Sequence, residues 1–207
     1  EDWAKPVLDY VGAGRRILLH MGIHHAFTRY RQPVVLDGEL RRLDPTRAGN
    51  YLYEALGDRA FLVYLHALWP PREGYGGNYV RPADGYLDAF FGTLPAGLRR
   101  VGFDVRGTPF GSLPGATSVY SHGYDDFTLG TMVDGYIYQG AFCDAEGVTA
   151  IPGFIDQDNL AYARQHSVNP ASRTATAERF ERAAAVAARL DRWCARLDRW
   201  EEEEPGR

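Results

Sequence analysis

Short, continuous apolar runs separated by Gly- and Pro-rich stretches dominate the hydrophobic pattern of this chain. Residues 16–21 and 61–65 are centred on runs without polar alternation, which is typical of strands buried on both faces. Residues 101–105 and 134–139 are two further strand candidates. Apolar residues at helical spacing fall between these runs. The pattern therefore predicts an α/β fold, with a layered, largely parallel sheet flanked by helices and a long C-terminal helix.

Turn and helix-end residues indicate how these elements are connected. The dipeptide Asp37-Gly38 lies between apolar flanks and predicts a β-hairpin over residues 34–43. Pro45 predicts the first turn of a helix, and Gly57 predicts where that helix ends. Shorter helices are predicted at residues 2–10, 84–91 and 156–165.

The longest helical pattern covers residues 174–204. Its apolar residues recur at three- and four-residue steps from Phe180 to Leu197. The sequence RLDRW occurs twice, seven residues apart, and this period favours packing along another helix, either within the chain or in a homo-oligomer. We expect an α/β domain over residues 1–170 and a C-terminal helix with an acidic tail over 171–207. A chain that opens directly in a helical pattern at Glu1 is consistent with a preceding N-terminal portion.

Composition excludes several classes of protein. The chain has 207 residues, 45% of them hydrophobic, and a net charge of −4 with a pI near 5.9. Binding to nucleic acid without sequence preference needs a concentrated basic surface, so we expect no nucleic-acid partner. No apolar run approaches the roughly 20 residues of a membrane-spanning helix. Cys143 and Cys194 share no spacing motif, and no secretory leader is visible, so a cytoplasmic location is expected.

Histidines concentrate at two predicted strand ends. His24 and His25 follow the first strand candidate, and His66 follows the second. Asp104 lies near the end of the third. In α/β sheets, ligands bind outside the carboxyl ends of the strands. We therefore expect these four side chains to meet at one edge of the sheet.

Two kinds of chemistry suit such a set. In the first, an imidazole or the Asp104 carboxylate is the general base toward a water molecule, and Arg29 or Arg31 holds an anionic substrate. Tyr75, in the long loop 69–82, is expected to close over the ligand. In the second, imidazoles and a carboxylate bind a divalent metal that acidifies its bound water. The residues expected to ligate such a metal are His24, His25 and His66.

Several common catalytic motifs are missing from the sequence. There is no G-x-S-x-G, no Walker A loop, no G-x-G-x-x-G after a strand and no H-E-x-x-H. A typical serine hydrolase, nucleotide-binding protein or zincin is therefore disfavoured. Haem ligation by histidine or tyrosine between aromatic loops stays open as another use of the same residues.

A strand candidate followed by G-x-x-H, present as Gly22 to His25, resembles the motif of the superfamily that joins erythromycin esterases, Tiki-type metalloproteases and ChaN-type haem-uptake proteins. The resemblance covers mainly residues 17–27. It implies an α/β fold with active groups at strand ends and places His25 at the motif position. Family members also carry an earlier half with a glutamate-containing motif, which is not found in this sequence. The implied roles range over esterase, metalloprotease and haem binding.

Three hypotheses follow from the sequence. The first is a hydrolase-like enzyme acting on a small-molecule or peptide substrate, with His25 at its centre and His24, His66 and Asp104 in support. The second is a non-catalytic protein that binds haem or a metal through the same histidines. The third is a structural subunit that assembles through its C-terminal helix.

Overall fold

A computed structural model describes residues 3–74, 79–142, 151–167 and 170–187. They belong to two compact units, Glu1–Ala141 and Phe142–Arg207. The first unit contains α1 (Ala4–Gly12), α2 (Ile23–Ala26), β1 (Gln32–Leu36), β2 (Glu39–Asp44), α3 (Ala48–Leu56), β3 (Val63–Leu65), α4 (Tyr86–Gly92), β4 (Val101–Asp104), α5 (Leu129–Met132) and β5 (Gly135–Tyr138). The second contains α6 (Leu160–His166) and α7 (Ala177–Ala187). Within the described ranges, every helix is too short or too polar to span a bilayer.

The predicted hairpin is confirmed. β1 and β2 pair in antiparallel fashion, with a register irregularity between Val34 and Val35. The turn residues Asp37 and Gly38 have φ values of 55° and 76°. Two successive left-handed residues are what a tight hairpin turn requires, and an Asp-Gly pair adopts them at low steric cost.

The second sheet has the strand order β3-β5-β4. β3 runs parallel to β5, whereas β4 runs antiparallel to it. The prediction of a layered, largely parallel sheet flanked by helices is therefore wrong. In the described part of the chain, the sheets have two and three strands, and β3 with β5 is the one parallel pair.

The predicted strand at residues 16–21 is also wrong, because this segment pairs with no strand in the described structure. The side chains of residues 16–20 are exposed, with Leu18 at 96% of its full accessibility, and Met21 is half-buried. β3 also departs from the prediction of burial on both faces. Val63 and Leu65 point outward and are 43% and 41% exposed, while Tyr64 between them is buried. This alternation is the period-two pattern of a half-buried strand.

The core of the first unit is unusually aromatic. Tyr64, Phe103 and Tyr136 lie side by side on the inner face of the sheet, because they are opposite one another in the strand register. Trp69 and Tyr120 pack beside them and are at most 2% exposed. Ring pairs at 4.4–6.3 Å run through this core, and aromatic pairs add about 0.5–1.5 kcal/mol each to the effect of burial.

The predicted helices are present with shifted ends. α3 ends at Gly57, which has a φ of 56° as expected, but it begins at Ala48 with Arg47 as its N-cap. The placement of Pro45 in its first turn is wrong, because the Asp44 carboxylate instead accepts hydrogen bonds from the Thr46 amide and hydroxyl. The predicted C-terminal helix is described as α7 up to Ala187. Its continuation, including both copies of RLDRW, lies outside the described residues.

Candidate functional site

The carboxyl ends of the parallel strands β3 and β5 lie next to each other, and several polar side chains contact one another there. His66 follows β3 directly, and its backbone N–H donates to the Ile137 carbonyl at 2.9 Å. This bond extends the ladder by one residue and turns the His66 ring inward. The side chain is only 1% exposed.

Both ring nitrogens of His66 have partners. Nδ1 lies 2.7 Å from the Tyr136 hydroxyl, and Nε2 lies 3.3 Å from Oδ1 of Asp88. Burial raises the pKa of Tyr136 well above its ordinary value, with Tyr64 and Asp88 adding to the effect, so its hydroxyl stays protonated. We infer that this hydroxyl donates to Nδ1. His66 is then the Nε2–H tautomer and donates to Asp88.

The two carboxylate oxygens of Asp88 differ in their described contacts. Its Oδ1 receives the His66 contact and a hydrogen bond from the Tyr138 hydroxyl at 3.2 Å, and Arg81 Nη1 lies 3.8 Å away. Oδ2 is buried and has no hydrogen-bond partner among the residues that the structure describes. A buried acceptor without a partner costs roughly 1–3 kcal/mol, so such an atom requires an explanation. We call this group the His66–Asp88 cluster; its members are His66, Arg81, Asp88, Tyr136 and Tyr138.

The loop between β3 and α4 brings Arg81 to the cluster. Trp69 and Val80 exchange two backbone hydrogen bonds of 2.9 Å, which close the loop at its base. Arg81 is the next residue along the chain, and its side chain is 22% exposed. The guanidinium therefore lies between solvent and the Asp88 carboxylate.

A strained turn links Arg81 to α4. Ala83, Asp84 and Gly85 have φ values of 51°, 50° and 83°, so all three are left-handed. For residues with a Cβ, this conformation costs roughly 1–2 kcal/mol each and normally occurs singly. The turn ends where α4 begins, at Tyr86, which puts Asp88 in the first turn of the helix.

The histidine loop, residues 22–27, forms a separate region. Gly22 is the N-cap of α2, and the next residues put His24 and His25 on different sides of this single helical turn. His24 Nε2 lies 2.9 Å from the Tyr120 hydroxyl. His25 is exposed, and its ring centroid lies 5.2 Å from that of Trp3. Burial lowers the pKa of His24, and the charges of Arg47 and His25 lower it further.

The helix α3 holds this loop in place. A Cβ at Gly49 would lie 2.3 Å from the Ala26 carbonyl oxygen, so only glycine permits this close approach. The next residue, Asn50, donates from Nδ2 to the carbonyls of Thr28 and Tyr30 at 2.6 and 2.9 Å.

Asp104 does not lie at the His66 end of the sheet, so the predicted meeting of these residues is wrong. Asp104 pairs with Gly135 at the beginning of β5, whereas His66 follows the pair of Leu65 with Ile137 near its end. The reason is strand direction. Because β4 is antiparallel to β5, its carboxyl end lies at the opposite edge.

The two predicted substrate-binding arginines have other surroundings. Arg29 Nη2 lies 2.7 Å from Oδ1 of Asp134, whose side chain is 1% exposed, so the guanidinium is engaged by a carboxylate of the fold. Arg31 is exposed, and its backbone N–H and C=O both bond to the Tyr124 hydroxyl. Tyr75 lies outside the described residues.

The predicted metal ligands do not form a ligand set in the described part of the chain. No group of three or more His, Cys, Asp or Glu side chains there could hold a metal ion. His24 and His66 have different described neighbours, namely Tyr120 for the first, and Tyr136 with Asp88 for the second. A metal centre made of His24, His25 and His66 is therefore not supported by this geometry.

A cleft of about 640 Å³ lies at the other edge of the sheet. Arg106 is its charged residue, with Nη1 2.6 Å from Asp58 and Nε 3.5 Å from Asp134. These carboxylates neutralise the guanidinium. The cleft is lined by Arg106, Gly107, Thr108, Pro109, Gly111, Ser112, Thr128, Gly130 and Thr131.

Of the cluster, sequence reasoning identified His66 and missed the other four members. One indication was available for Asp88. Leu87 and Phe91 are the buried residues of α4, and Asp88 lies beside Phe91 around the helix axis, at the border of the apolar stripe. A carboxylate at that position is drawn toward the core and needs a partner there.

Comparison with known proteins identifies no relative of this chain. No model of a protein family matches the chain, and comparisons with curated proteins and with solved structures also give no match. The resemblance carried by Gly22 and His25 stays a prediction.

Proposed function

We propose that this protein is a hydrolase-like enzyme in which Asp88 of the His66–Asp88 cluster is the general base. The observation that carries the proposal is the unpartnered Oδ2 of Asp88, buried beside an arginine at the carboxyl ends of two parallel strands. A water molecule or a ligand hydroxyl that donates to Oδ2 would satisfy this atom. Titratable groups gathered at such a position are typical of active sites.

The contacts of Asp88 suit proton transfer. A water molecule donates its proton to Oδ2, and its oxygen forms a bond to the carbonyl carbon of the substrate. Arg81 stabilises the negative charge that develops on the carbonyl oxygen. When the intermediate collapses, the bond to the leaving group breaks, and the proton passes from Asp88 to the departing oxygen or nitrogen. His66 and Tyr138 hold Oδ1 throughout, so the carboxylate keeps its orientation.

His66 supports this step without carrying the proton itself. Its Nδ1 lies against the Tyr136 hydroxyl, and its Nε2 faces Asp88. The ring thus orients the carboxylate in the manner in which an aspartate orients a catalytic histidine, with the two roles exchanged. Arg81 and Asp88 have opposite charges, which makes the pair neutral overall and favours an uncharged carbonyl substrate over an anionic one.

The direct test compares Asp88→Asn with the exposed control Asp126→Asn on a panel of 4-nitrophenyl esters and aminoacyl 4-nitroanilides. We expect the wild-type protein to hydrolyse a member of the panel. Asp88→Asn keeps the shape of the side chain but removes the proton acceptor, so kcat should fall by about 10²–10⁴-fold. Asp126→Asn should retain wild-type turnover.

Thermal melting of both variants shows whether a lost activity reflects lost structure. Full turnover by Asp88→Asn, or no hydrolysis of any substrate by the wild-type protein, would contradict the proposal. His25→Ala provides the comparison with the family resemblance. If its kcat falls and that of Asp88→Asn does not, the active group belongs to the histidine loop instead.

A further inference from the structure

The left-handed turn Ala83–Asp84–Gly85 lies between the two charged members of the His66–Asp88 cluster. Two of its three residues carry a Cβ, and Ala83 is completely buried. A connecting turn without a special task would normally place glycine, asparagine or aspartate at such positions, so Ala83 is the exceptional residue. Strained backbone of this kind persists only where the surrounding structure fixes it, and it concentrates at functional sites.

The Asp84 side chain fixes the conformation of this turn through its hydrogen bonds. Its carboxylate accepts hydrogen bonds from the backbone N–H groups of Ala116 and Thr117, at 3.0 and 3.2 Å, and from the Thr117 hydroxyl at 2.6 Å. Three donors on one carboxylate form a charge-assisted set that is stronger than neutral hydrogen bonds. The turn is therefore held from a segment more than 30 residues away in the sequence.

The segment that donates these bonds, residues 116–117, is itself anchored. The Ala116 carbonyl accepts from Ser121 Oγ at 3.0 Å and from Arg72 Nη1 at 3.2 Å. Ser118 Oγ donates to the Pro70 carbonyl at 3.0 Å and is fully buried. Because these bonds tie the segment to the loop after β3, the Asp84 contacts join two parts of the same region.

The turn determines the geometry on both of its sides. After it, α4 begins at Tyr86, so the conformation of residues 83–85 sets where Asp88 points. Before the turn, the aliphatic part of the Arg81 side chain packs over it. A Cβ added to Gly85 would lie 3.4 Å from Arg81 Cδ. The 3.8 Å separation of Arg81 and Asp88 depends on the turn between them.

We propose that Asp84 is a positioning residue, whose bonds to Ala116 and Thr117 hold the strained turn that aligns Asp88 with His66 and Arg81. This inference rests on the proposed function, because the alignment of Asp88 matters for catalysis only if Asp88 is the general base. Its test does not require turnover. The measured quantity is the nitrogen chemical shift of the His66 ring, which reports the Nε2–H tautomer and its contact with Asp88.

The experiment compares four variants by ¹H–¹⁵N spectra of the histidine side chains across a pH titration. In Asp84→Ala we expect the His66 shifts to move from a single tautomer toward the averaged values of a free imidazole. Asp84→Gly relieves the strain at residue 84 but removes the same bonds, so it should change the spectrum in the same way. Thr117→Val removes one donor and should give a smaller change in the same direction. Asp126→Asn is the control and should leave the spectrum unchanged.

Unchanged His66 shifts in Asp84→Gly, together with a lower melting temperature, would overturn the proposal, because Asp84 would then be structural only. If Asp84→Ala does not fold, Thr117→Val decides: a shifted His66 signal supports the inference, and a wild-type signal overturns it. Retained hydrolysis by Asp88→Asn would refute the catalytic role without affecting these spectra. The two proposals therefore fail by different measurements.

Discussion

The histidine loop and the His66–Asp88 cluster both present imidazoles at chain segments that follow apolar runs, but they differ in what surrounds the rings. In the loop, His25 is exposed, and His24 is half-buried beside Tyr120. In the cluster, His66 is buried and held at both nitrogens. Adjacent residues on a helical turn cannot face one target, since they point about 100° apart. Side chains contributed by neighbouring strands and a helix can converge. Clustering along the sequence is thus a weaker predictor of a site than clustering across a sheet.

The largest expected difference between the two regions is in the loss of unfolding free energy when a histidine ring is removed. His66→Ala leaves the Tyr136 hydroxyl and the Asp88 carboxylate without their shared partner and opens a cavity, so the free energy of unfolding should fall by about 3 kcal/mol. His25→Ala removes an exposed ring and should change it by less than about 0.5 kcal/mol. Denaturant unfolding of both variants measures the difference. Equal losses of unfolding free energy in the two variants would contradict the difference between the two regions.

Removing the tyrosine partner of each ring should give a smaller contrast. Tyr136→Phe removes the hydroxyl that contacts Nδ1 of His66 in a buried position, which should cost about 1–3 kcal/mol. Tyr120→Phe removes the hydroxyl beside His24, where water can replace it, and should cost less than about 1 kcal/mol. The same unfolding measurement tests this order, and a larger loss in Tyr120→Phe would reverse it.

The smallest expected effect is a pH dependence that arises in the histidine loop. The pKa of His24 is lowered in the folded chain, chiefly by burial, whereas the unfolded chain has the ordinary value of about 6.5. Between these values the unfolded state binds more protons, so stability rises with pH across this window. The stability associated with the neutral His24 is present above the ordinary pKa, and it is lost as the pH falls through the window toward the lowered pKa of the folded chain.

Substituting His24→Gln removes this titrating group. We expect the difference in unfolding free energy between about pH 7.5 and about pH 5 to be smaller in the variant than in the wild-type protein. Denaturant unfolding at both pH values provides the measurement, with the exposed His20→Gln as the matched control. An unaltered pH dependence in His24→Gln would show that another group is responsible.

Local features of this fold could be predicted from the sequence, and relationships between distant segments could not. The Asp37-Gly38 hairpin and the end of α3 at Gly57 follow from backbone preferences of single residues, and the structure has both. The direction of β4 does not follow from its sequence, because an apolar pentapeptide forms parallel and antiparallel ladders alike. Because the direction of β4 was not known, the prediction placed Asp104 at the wrong end of the sheet.

The candidate site divides in the same way. His66 could be identified, because it directly follows a strand and its position depends on that strand alone. Asp88 and Arg81 could not, because their approach to His66 depends on the left-handed turn at residues 83–85 and on its attachment to Thr117. The dipeptide Asp84-Gly85 permits left-handed backbone, as Asp37-Gly38 does, but nothing in the sequence around Ala83 indicates that this residue is also left-handed.

Trp69 gives the aromatic core a practical use. The indole is completely buried, with the rings of Tyr120 and Tyr64 centred 5.7 and 6.2 Å away. Tyrosines at such short range transfer their excitation to tryptophan with high efficiency, and an indole shielded from water emits toward the blue. Because Trp69 also closes the base of the loop that carries Arg81, its fluorescence should respond to small-molecule occupancy near Asp88 before any substrate has been identified. The chain therefore contains its own optical sensor for ligand screening.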